Sequence, residues 1–234
     1  MGKTVSRALM LAMAAGALST PAALADSELS ANVALTSDYV WRGVSQTGED
    51  PALQVGTDFS SELFYVGAWA SNIDFGTGSD ADVELDLYAG FAGEFTPGFS
   101  WDVGAIGYYY LGAADGEKLD FYEVYAGLGY ETDYGLGVGA YVYHDPVNEN
   151  TYLEGTGAYA ITDALSADVS FGHYSFDFGG DYTAWSVGGT YAISGFDIDL
   201  RYWDTDIEDQ VGASVPGTEE RVVATIGRTF TFGG

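Results

Sequence analysis

Cysteine is absent from the 234 residues of the chain, and basic residues are scarce. Without cysteine the chain cannot form a disulfide framework, a zinc ribbon or a thiol-based catalytic site. Only 7 residues are Lys or Arg against 35 Asp or Glu, which gives a formal net charge of -28. Because nucleic-acid binding requires a basic surface, nucleic acid is excluded as a partner.

Long apolar runs are missing beyond the N-terminus, so no transmembrane helix is predicted there. At the N-terminus, Lys3 and Arg7 precede a short apolar run, and Ala23-Leu24-Ala25 fits a small-x-small cleavage site. That run falls well short of the roughly 20 apolar residues that a membrane helix needs. We therefore predict an exported protein with a cleaved signal peptide over residues 1–25 and one mature domain over residues 26–234.

Glycine and aromatic residues are abundant, with 33 glycines and 15% aromatic residues, so the acidic mature chain does not have a disordered composition. Apolar residues recur at every second position rather than with the helical period. Between positions 31 and 41, for example, Val33 and Leu35 alternate with Asn32 and Asp38. Such alternation indicates β-strands that have one apolar face and one small or polar face.

The same alternation continues to the end of the chain and predicts about twelve strands of about ten residues each, long enough for a tilted strand to cross a bilayer. The predicted strand cores cover residues 31–41, 52–60, 63–72, 83–91, 100–110, 121–130, 136–144, 152–161, 165–174, 182–192, 196–203 and 221–232.

Long and short connections alternate between these strands, which is typical of an outer-membrane barrel with its short turns in the periplasm. In lipid every backbone N–H and C=O group must be paired within the protein, so a spanning sheet has to close. The sequence thus predicts an all-β fold, a single transmembrane antiparallel β-barrel. It would lie in the outer membrane of a Gram-negative bacterium, in contact with its lipids and lipopolysaccharide and assembled by the barrel-assembly machinery.

Aromatic residues concentrate near the ends of the predicted strands, where amphipathic rings favour the membrane–water boundary. We expect two aromatic belts, although aromatic residues are also good strand formers. The predicted girdle residues are Tyr39, Trp41, Trp101, Tyr109, Trp185, Tyr191, Phe230 and Phe232.

Charged residues fall on the predicted inner face, where acids outnumber bases about three to one. Rings of acidic side chains favour cations in a pore, although the inner charges could instead pair with one another in a plugged lumen. The predicted lumen and selectivity residues are Asp38, Arg42, Asp58, Glu84, Asp86, Asp102, Glu123, Asp197, Asp199, Arg201 and Arg221. Because the last two strands adjoin the first in a closed barrel, we expect the three arginines on one wall and the acids of strands four to six opposite.

The first hairpin carries a family resemblance. The stretch Ala34-Leu35-Thr36-Ser37-Asp38-Tyr39-Val40-Trp41-Arg42-Gly43-Val44-Ser45-Gln46-Thr47, with Pro51-Ala52-Leu53-Gln54 after it, is similar to the TorF family of porin-like proteins. Tyr65-Val66-Gly67-Ala68-Trp69-Ala70-Ser71-Asn72 and Glu84-Leu85-Asp86-Leu87-Tyr88-Ala89-Gly90 extend the likeness. The resemblance implies an outer-membrane location and a pore, and it implies no catalytic residue.

The sequence gives little indication of a calcium site or of a catalytic site. The loop residues Asp204, Asp206, Glu208 and Asp209 offer oxygen ligands for Ca²⁺, but the loop lacks the glycine and the spacing of an EF-hand, so a solvated acidic loop is favoured. His144 and His173 lie near serines and acids, yet no G-x-S-x-G nucleophile motif occurs. We expect no enzyme, no metal site and no cofactor.

The favoured function is passive diffusion of small hydrophilic solutes, with a preference for cations. One alternative is a non-conducting surface protein whose acidic loops bind a partner or divalent cations, which a lumen filled by side chains would favour. Another is a soluble lipocalin-like barrel, which would place apolar side chains inside and polar ones outside.

Overall fold

A computed structural model describes residues 27–207 and 215–232. Twelve long antiparallel strands close into one barrel in the order β1-β14-β13-β12-β11-β10-β9-β8-β7-β6-β5-β4. Two short strands, β2 and β3, form a separate hairpin. The strands are β1 Glu28–Thr36, β2 Val40–Trp41, β3 Val44–Ser45, β4 Ala52–Ser61, β5 Phe64–Asn72, β6 Val83–Thr96, β7 Phe99–Leu111, β8 Phe121–Glu131, β9 Leu136–Asp145, β10 Asn150–Ala160, β11 Leu165–Ser175, β12 Tyr182–Ile193, β13 Phe196–Thr205 and β14 Arg221–Phe232.

The prediction of a closed barrel of about twelve strands is confirmed. Consecutive barrel strands pair as neighbours, and β1 closes the ring by pairing with β14, from Leu29 opposite Phe232 to Thr36 opposite Thr225. A short 3₁₀ turn over Gly76–Gly78 lies in the loop after β5. Within the described ranges, no helix has the length and hydropathy that a membrane crossing requires.

Side chains alternate across the wall as the period-two pattern predicts. On β4, Leu53 and Val55 are exposed while Gln54 between them is buried. Exposed Val, Leu, Ile, Phe and Tyr side chains recur in this way on every barrel strand. An apolar outside and a polar inside is the arrangement of a membrane barrel and the inverse of a soluble lipocalin-like barrel.

Loop length differs between the two ends of the barrel. The end at Thr36 carries the longest connections, over residues 37–51 and 206–220, whereas the opposite end has two-residue turns at 62–63, 97–98 and 194–195. The first and last strands both have their outer termini at the short-turn end. We call the two ends the loop end and the turn end.

The first loop departs from the prediction, because the first strand ends at Thr36 rather than at Trp41. The chain then turns into the barrel at Asp38. The Asp38 carboxylate accepts hydrogen bonds from Ser45 Oγ at 2.7 Å and Thr47 Oγ1 at 3.0 Å, and it pairs with Arg221. Ser45 and Thr47 belong to the same loop and close it on itself, while Arg221 on β14 ties it to the inner wall. Within this loop β2 and β3 form an inner hairpin over residues 40–45.

Candidate functional site

The inner hairpin fills the loop end of the lumen and defines the candidate site. Its turn residues, Arg42 and Gly43, have φ angles of 49° and 85°. Two positive φ angles in a two-residue loop characterise a type I′ turn, which favours Asn or Gly at the first position. Arginine there is strained, so its side chain must be held by its surroundings.

Tyr39 and Trp41 do not belong to the aromatic girdle, and the prediction that they face lipid is wrong. Tyr39 is 3% exposed, and its hydroxyl donates a hydrogen bond to Glu84 Oε1 at 2.8 Å. Trp41 packs edge-on against Tyr108, Phe121 and Tyr174 inside the barrel. The alternation that predicted lipid contact continues through a segment that has already left the wall.

Arg42 crosses the lumen and pairs with Glu123 on β8, on the side of the barrel opposite β14. Its two terminal nitrogens donate hydrogen bonds to the two carboxylate oxygens at 2.7 and 2.8 Å. Tyr108 donates a further hydrogen bond to the same carboxylate at 3.1 Å. Such bidentate pairing is among the strongest geometries for a guanidinium group.

Four aromatic rings surround the same guanidinium group. The Arg42 Cζ atom lies 4.2 to 5.1 Å from the ring centroids, within the range of cation–π attraction. We call the Glu123 carboxylate and the rings of Trp41, Tyr143, Tyr152 and Tyr174 the Arg42 cage. Burial by itself lowers the pKa of the Arg42 guanidinium, but the adjacent Glu123 carboxylate outweighs this and raises that pKa above its ordinary value.

Arg201 and Arg221 are also paired within the inner face. Arg201 on β13 binds both oxygens of Asp168 and lies 3.1 Å from Asp199. Arg221 on β14 lies 2.8 Å from Asp38. These two arginines occupy adjacent strands, but Arg42 does not share their wall as expected, because the inner hairpin carries it across to the acids on the far side.

The predicted acidic residues line the lumen at two levels. Near the loop end, Glu84, Asp86 and Glu123 are buried beneath the inner hairpin. Towards the turn end, Asp102 accepts a hydrogen bond from Tyr65 at 2.7 Å, and Asp58 accepts one from Tyr88. On the opposite strands, Asp168 and Asp199 are buried on the inner face, and Asp197 on the same face of β13 is half-buried.

Two buried carboxylate oxygens, Asp86 Oδ1 and Asp102 Oδ2, have no hydrogen-bond partner in the described part of the chain. A buried oxygen of this kind is costly unless water or a cation satisfies it. No set of three or more His, Asp or Glu side chains in residues 27–207 and 215–232 is arranged to hold a metal ion.

The remaining predicted girdle residues lie on the outer face. Trp101 is half-buried there, and the other five are exposed to the surroundings of the barrel. These five are Tyr109, Trp185, Tyr191, Phe230 and Phe232.

The residues singled out for other chemistry do not converge on a site. His144 and His173 each lie within hydrogen-bond distance of a threonine on the next strand, Thr151 at 3.0 Å and Thr183 at 3.4 Å. In the acidic loop, Asp206 accepts a hydrogen bond from the backbone N–H of Thr183. Glu208 and Asp209, the other half of the suggested calcium loop, lie outside the described residues.

Sequence reasoning missed the inner hairpin and the inward position of Tyr143, Tyr152 and Tyr174 around Arg42. A signal was present, since Arg42-Gly43 stands between Val40-Trp41 and Val44-Ser45, a short turn flanked by strand-forming residues. Period-two alternation cannot distinguish a longer wall strand from a hairpin that folds inwards, because both alternate at the same period.

Solved porin structures share this fold. A KdgM porin superimposes with a TM-score of 0.59 at 9% identity, over 88% of this chain and 99% of that chain. A NanC porin gives a TM-score of 0.56 at 11% identity, over 86% and 98% of the two chains. No match was found among proteins with curated descriptions. A family model, described as "Bacterial protein of unknown function (Gcw_chp)", matches residues 21–230, so the chain belongs to the Gcw_chp family.

Proposed function

We propose that the protein is an outer-membrane channel for small hydrophilic solutes that prefers cations. The observation that carries the proposal is the surplus of inward carboxylates in a barrel with the porin fold. Glu84, Asp86 and Asp102 form no salt bridge with an arginine in the described residues. Unpaired lumen acids attract cations and repel anions.

The charge of the lumen also narrows the class of solute. A related-fold KdgM porin has been solved in complex with oligogalacturonate, which is a chain of sugar acids. An acidic lumen disfavours such an anionic solute, because like charges at close range repel. Cationic and neutral hydrophilic solutes are therefore the better candidates for this chain.

Conductance and ion selectivity in a planar bilayer test this function. We expect ion conductance after insertion of the purified protein, with a reversal potential in a KCl gradient that has the sign of potassium permeation. An anion-directed reversal potential would overturn the cation preference, and lack of conductance both in the wild-type chain and in a chain without its inner hairpin would overturn the channel itself.

The second candidate is a non-conducting surface protein with acidic loops that bind a partner or divalent cations. The filled loop end favours it, since Glu123 is 0% exposed and Glu84 is 2% exposed beneath the inner hairpin. The same bilayer recording separates the two functions. A closed barrel that never conducts, even without its inner hairpin, would support the surface protein.

The cellular setting follows from the same proposal. The likeness of residues 34–47 to the TorF family supports a porin in the outer membrane of a Gram-negative bacterium. We further propose export through the signal peptide of residues 1–25, assembly by the barrel-assembly machinery, and contact with outer-membrane lipids and lipopolysaccharide. The signal peptide itself lies outside the described residues.

A further inference from the structure

The Arg42 cage combines the elements from which proteins build sites for organic cations. A carboxylate binds the guanidinium group at both terminal nitrogens, and four rings lie within 4.2 to 5.1 Å of its central carbon. Aromatic cages of this type recognise alkylammonium and guanidinium groups through the electron-rich ring faces.

Three of the four rings and the carboxylate belong to the barrel wall, not to the inner hairpin. Glu123, Tyr143, Tyr152 and Tyr174 stand on four successive strands, β8 to β11. Tyr143 and Tyr152 are opposite each other across one strand pair, as are Tyr152 and Tyr174 across the next. The wall therefore supplies the carboxylate and three of the four rings of the cage, and the inner hairpin supplies only Trp41 and the cation.

Withdrawal of the inner hairpin from the wall part of this cage would break no hydrogen bond of the barrel ladder. β2 and β3 form their own two-stranded sheet and pair with none of the twelve wall strands. Arg42 has a positive φ angle, which is costly for a non-glycine residue unless its surroundings stabilise it. The cage contacts, the Tyr39–Glu84 hydrogen bond, the hydrogen bond from the Ser45 N–H to the Gly217 carbonyl and the Asp38–Arg221 ion pair hold the inner hairpin in place, and the barrel ladder does not.

We propose that the Arg42 cage is a binding site for the guanidinium or alkylammonium group of a solute, and that Arg42 occupies it as an internal stand-in. Binding of the solute releases the inner hairpin from the loop end of the lumen. This inference rests on the proposed channel function and names its solute class as organic cations.

The test measures binding of methylguanidinium to the full chain in detergent by isothermal titration calorimetry, which does not depend on conductance. R42A removes the internal competitor, so it should bind methylguanidinium saturably with a Kd on the order of millimolar. The wild-type chain should bind at least about tenfold more weakly, because Arg42 is tethered at a high effective concentration.

Two double variants, each adding one substitution to R42A, test the aromatic ring and the carboxylate of the cage separately. Y152L removes the nearest ring, and E123Q removes the carboxylate charge. Each should weaken methylguanidinium binding by about tenfold, the fold-change expected for a cation–π contact or an ion pair at a buried site. Urea, a neutral molecule of similar shape, should bind none of these variants.

R201A is the matched control, because it also vacates a buried, carboxylate-bound guanidinium position on the inner face. Its methylguanidinium binding should be at least about tenfold weaker than that of R42A, since the site lacks the four-ring cage. Equal binding by R201A and R42A, or binding by R42A no tighter than wild type, would overturn the proposal.

Folding of R42A is checked by heat-modifiable gel migration. If R42A folds only with methylguanidinium present during refolding, occupancy of the cage by a free cation is demonstrated and the proposal is supported. If R42A stays unfolded with methylguanidinium while R42K folds, Arg42 is a structural ion-pair partner and the proposal fails. Absence of conductance with intact methylguanidinium binding would instead overturn only the channel function.

Discussion

At the residue scale, glycine and tyrosine are matched across neighbouring strands of the inner wall. In four pairs a tyrosine ring lies over the glycine directly opposite it on the neighbouring strand. A Cβ atom on any of these glycines would overlap the tyrosine ring. This arrangement lets large rings lie flat against the wall of a narrow barrel. The pairs are Gly67 with Tyr88, Gly90 with Tyr65, Gly104 with Tyr125, and Gly127 with Tyr141.

Replacing Gly104 by Ala should destabilise the barrel by about 1–3 kcal/mol, because the new methyl group has to displace the Tyr125 ring. The backbone restricts any shift, since the Cβ would lie 2.7 Å from the carbonyl oxygen of Ala89. Urea-dependent loss of heat-modifiable migration measures the change. Gly155→Ala is the control, because the nearest atom to its Cβ is 3.9 Å away. Equal stability of the two variants would contradict the packing argument.

Arg201 provides a second residue-scale prediction. Arg201→Ala should destabilise the barrel by about 3 kcal/mol, because it leaves Asp168 and Asp199 buried without their cation. Adding Asp168→Asn to the same chain should recover part of that loss, since one uncompensated charge is removed. The free energies of unfolding in urea form the double-mutant comparison. A double variant less stable than Arg201→Ala alone would show that the charge on Asp168 is not the source of the loss.

At the element scale, the wall and the inner hairpin differ in how well the sequence predicts them. The wall follows from alternation, because each wall strand must present apolar side chains to lipid and small or polar ones to the lumen. The alternation alone predicts that the side chains of Gln54, Asp86 and Asp102 face the lumen, and all three are buried there. The same alternation wrongly predicts that Tyr39 and Trp41 face lipid. Their positions depend on contacts with Glu84, Tyr108 and Tyr174, which are distant in sequence.

Removal of the inner hairpin should open the loop end without loss of the barrel. Thr36 on β1 is paired with Ala52 on β4, so a two-residue turn is long enough to join them. We expect a chain with Asn-Gly in place of residues 37–51 to retain heat-modifiable migration and to conduct more than the wild-type chain in planar bilayers. Replacement of the loop residues 115–117 by Gly-Ser-Gly is the matched control and should leave conductance unchanged.

A shortened chain that folds but conducts no better than wild type would show that the tyrosines of the wall, rather than the inner hairpin, close the lumen. Tyr65, Tyr125 and Tyr141 all lie on the inner face and are buried.

At the scale of the whole molecule, charged and apolar side chains occupy different parts of the barrel. The outer face of the described strands is largely apolar, while most acids of the described residues lie in the loops or inside the barrel. Each of the inward arginines Arg42, Arg201 and Arg221 is paired with an acid. The lumen therefore holds more carboxyl groups than arginines, with Glu84, Asp86 and Asp102 left over from the pairing.

These leftover acids should set the ion preference of the open barrel. In the chain that lacks the inner hairpin, Glu84→Gln with Asp86→Asn should shift the reversal potential in a KCl gradient towards zero, because two lumen charges near the loop end are lost. Asp115→Asn in the exposed loop is the control, since a solvated charge outside the lumen is screened by salt. An unchanged reversal potential in the double variant would place the selectivity elsewhere in the lumen, and the lower carboxylates Asp58 and Asp102 would then be the groups that repel anions.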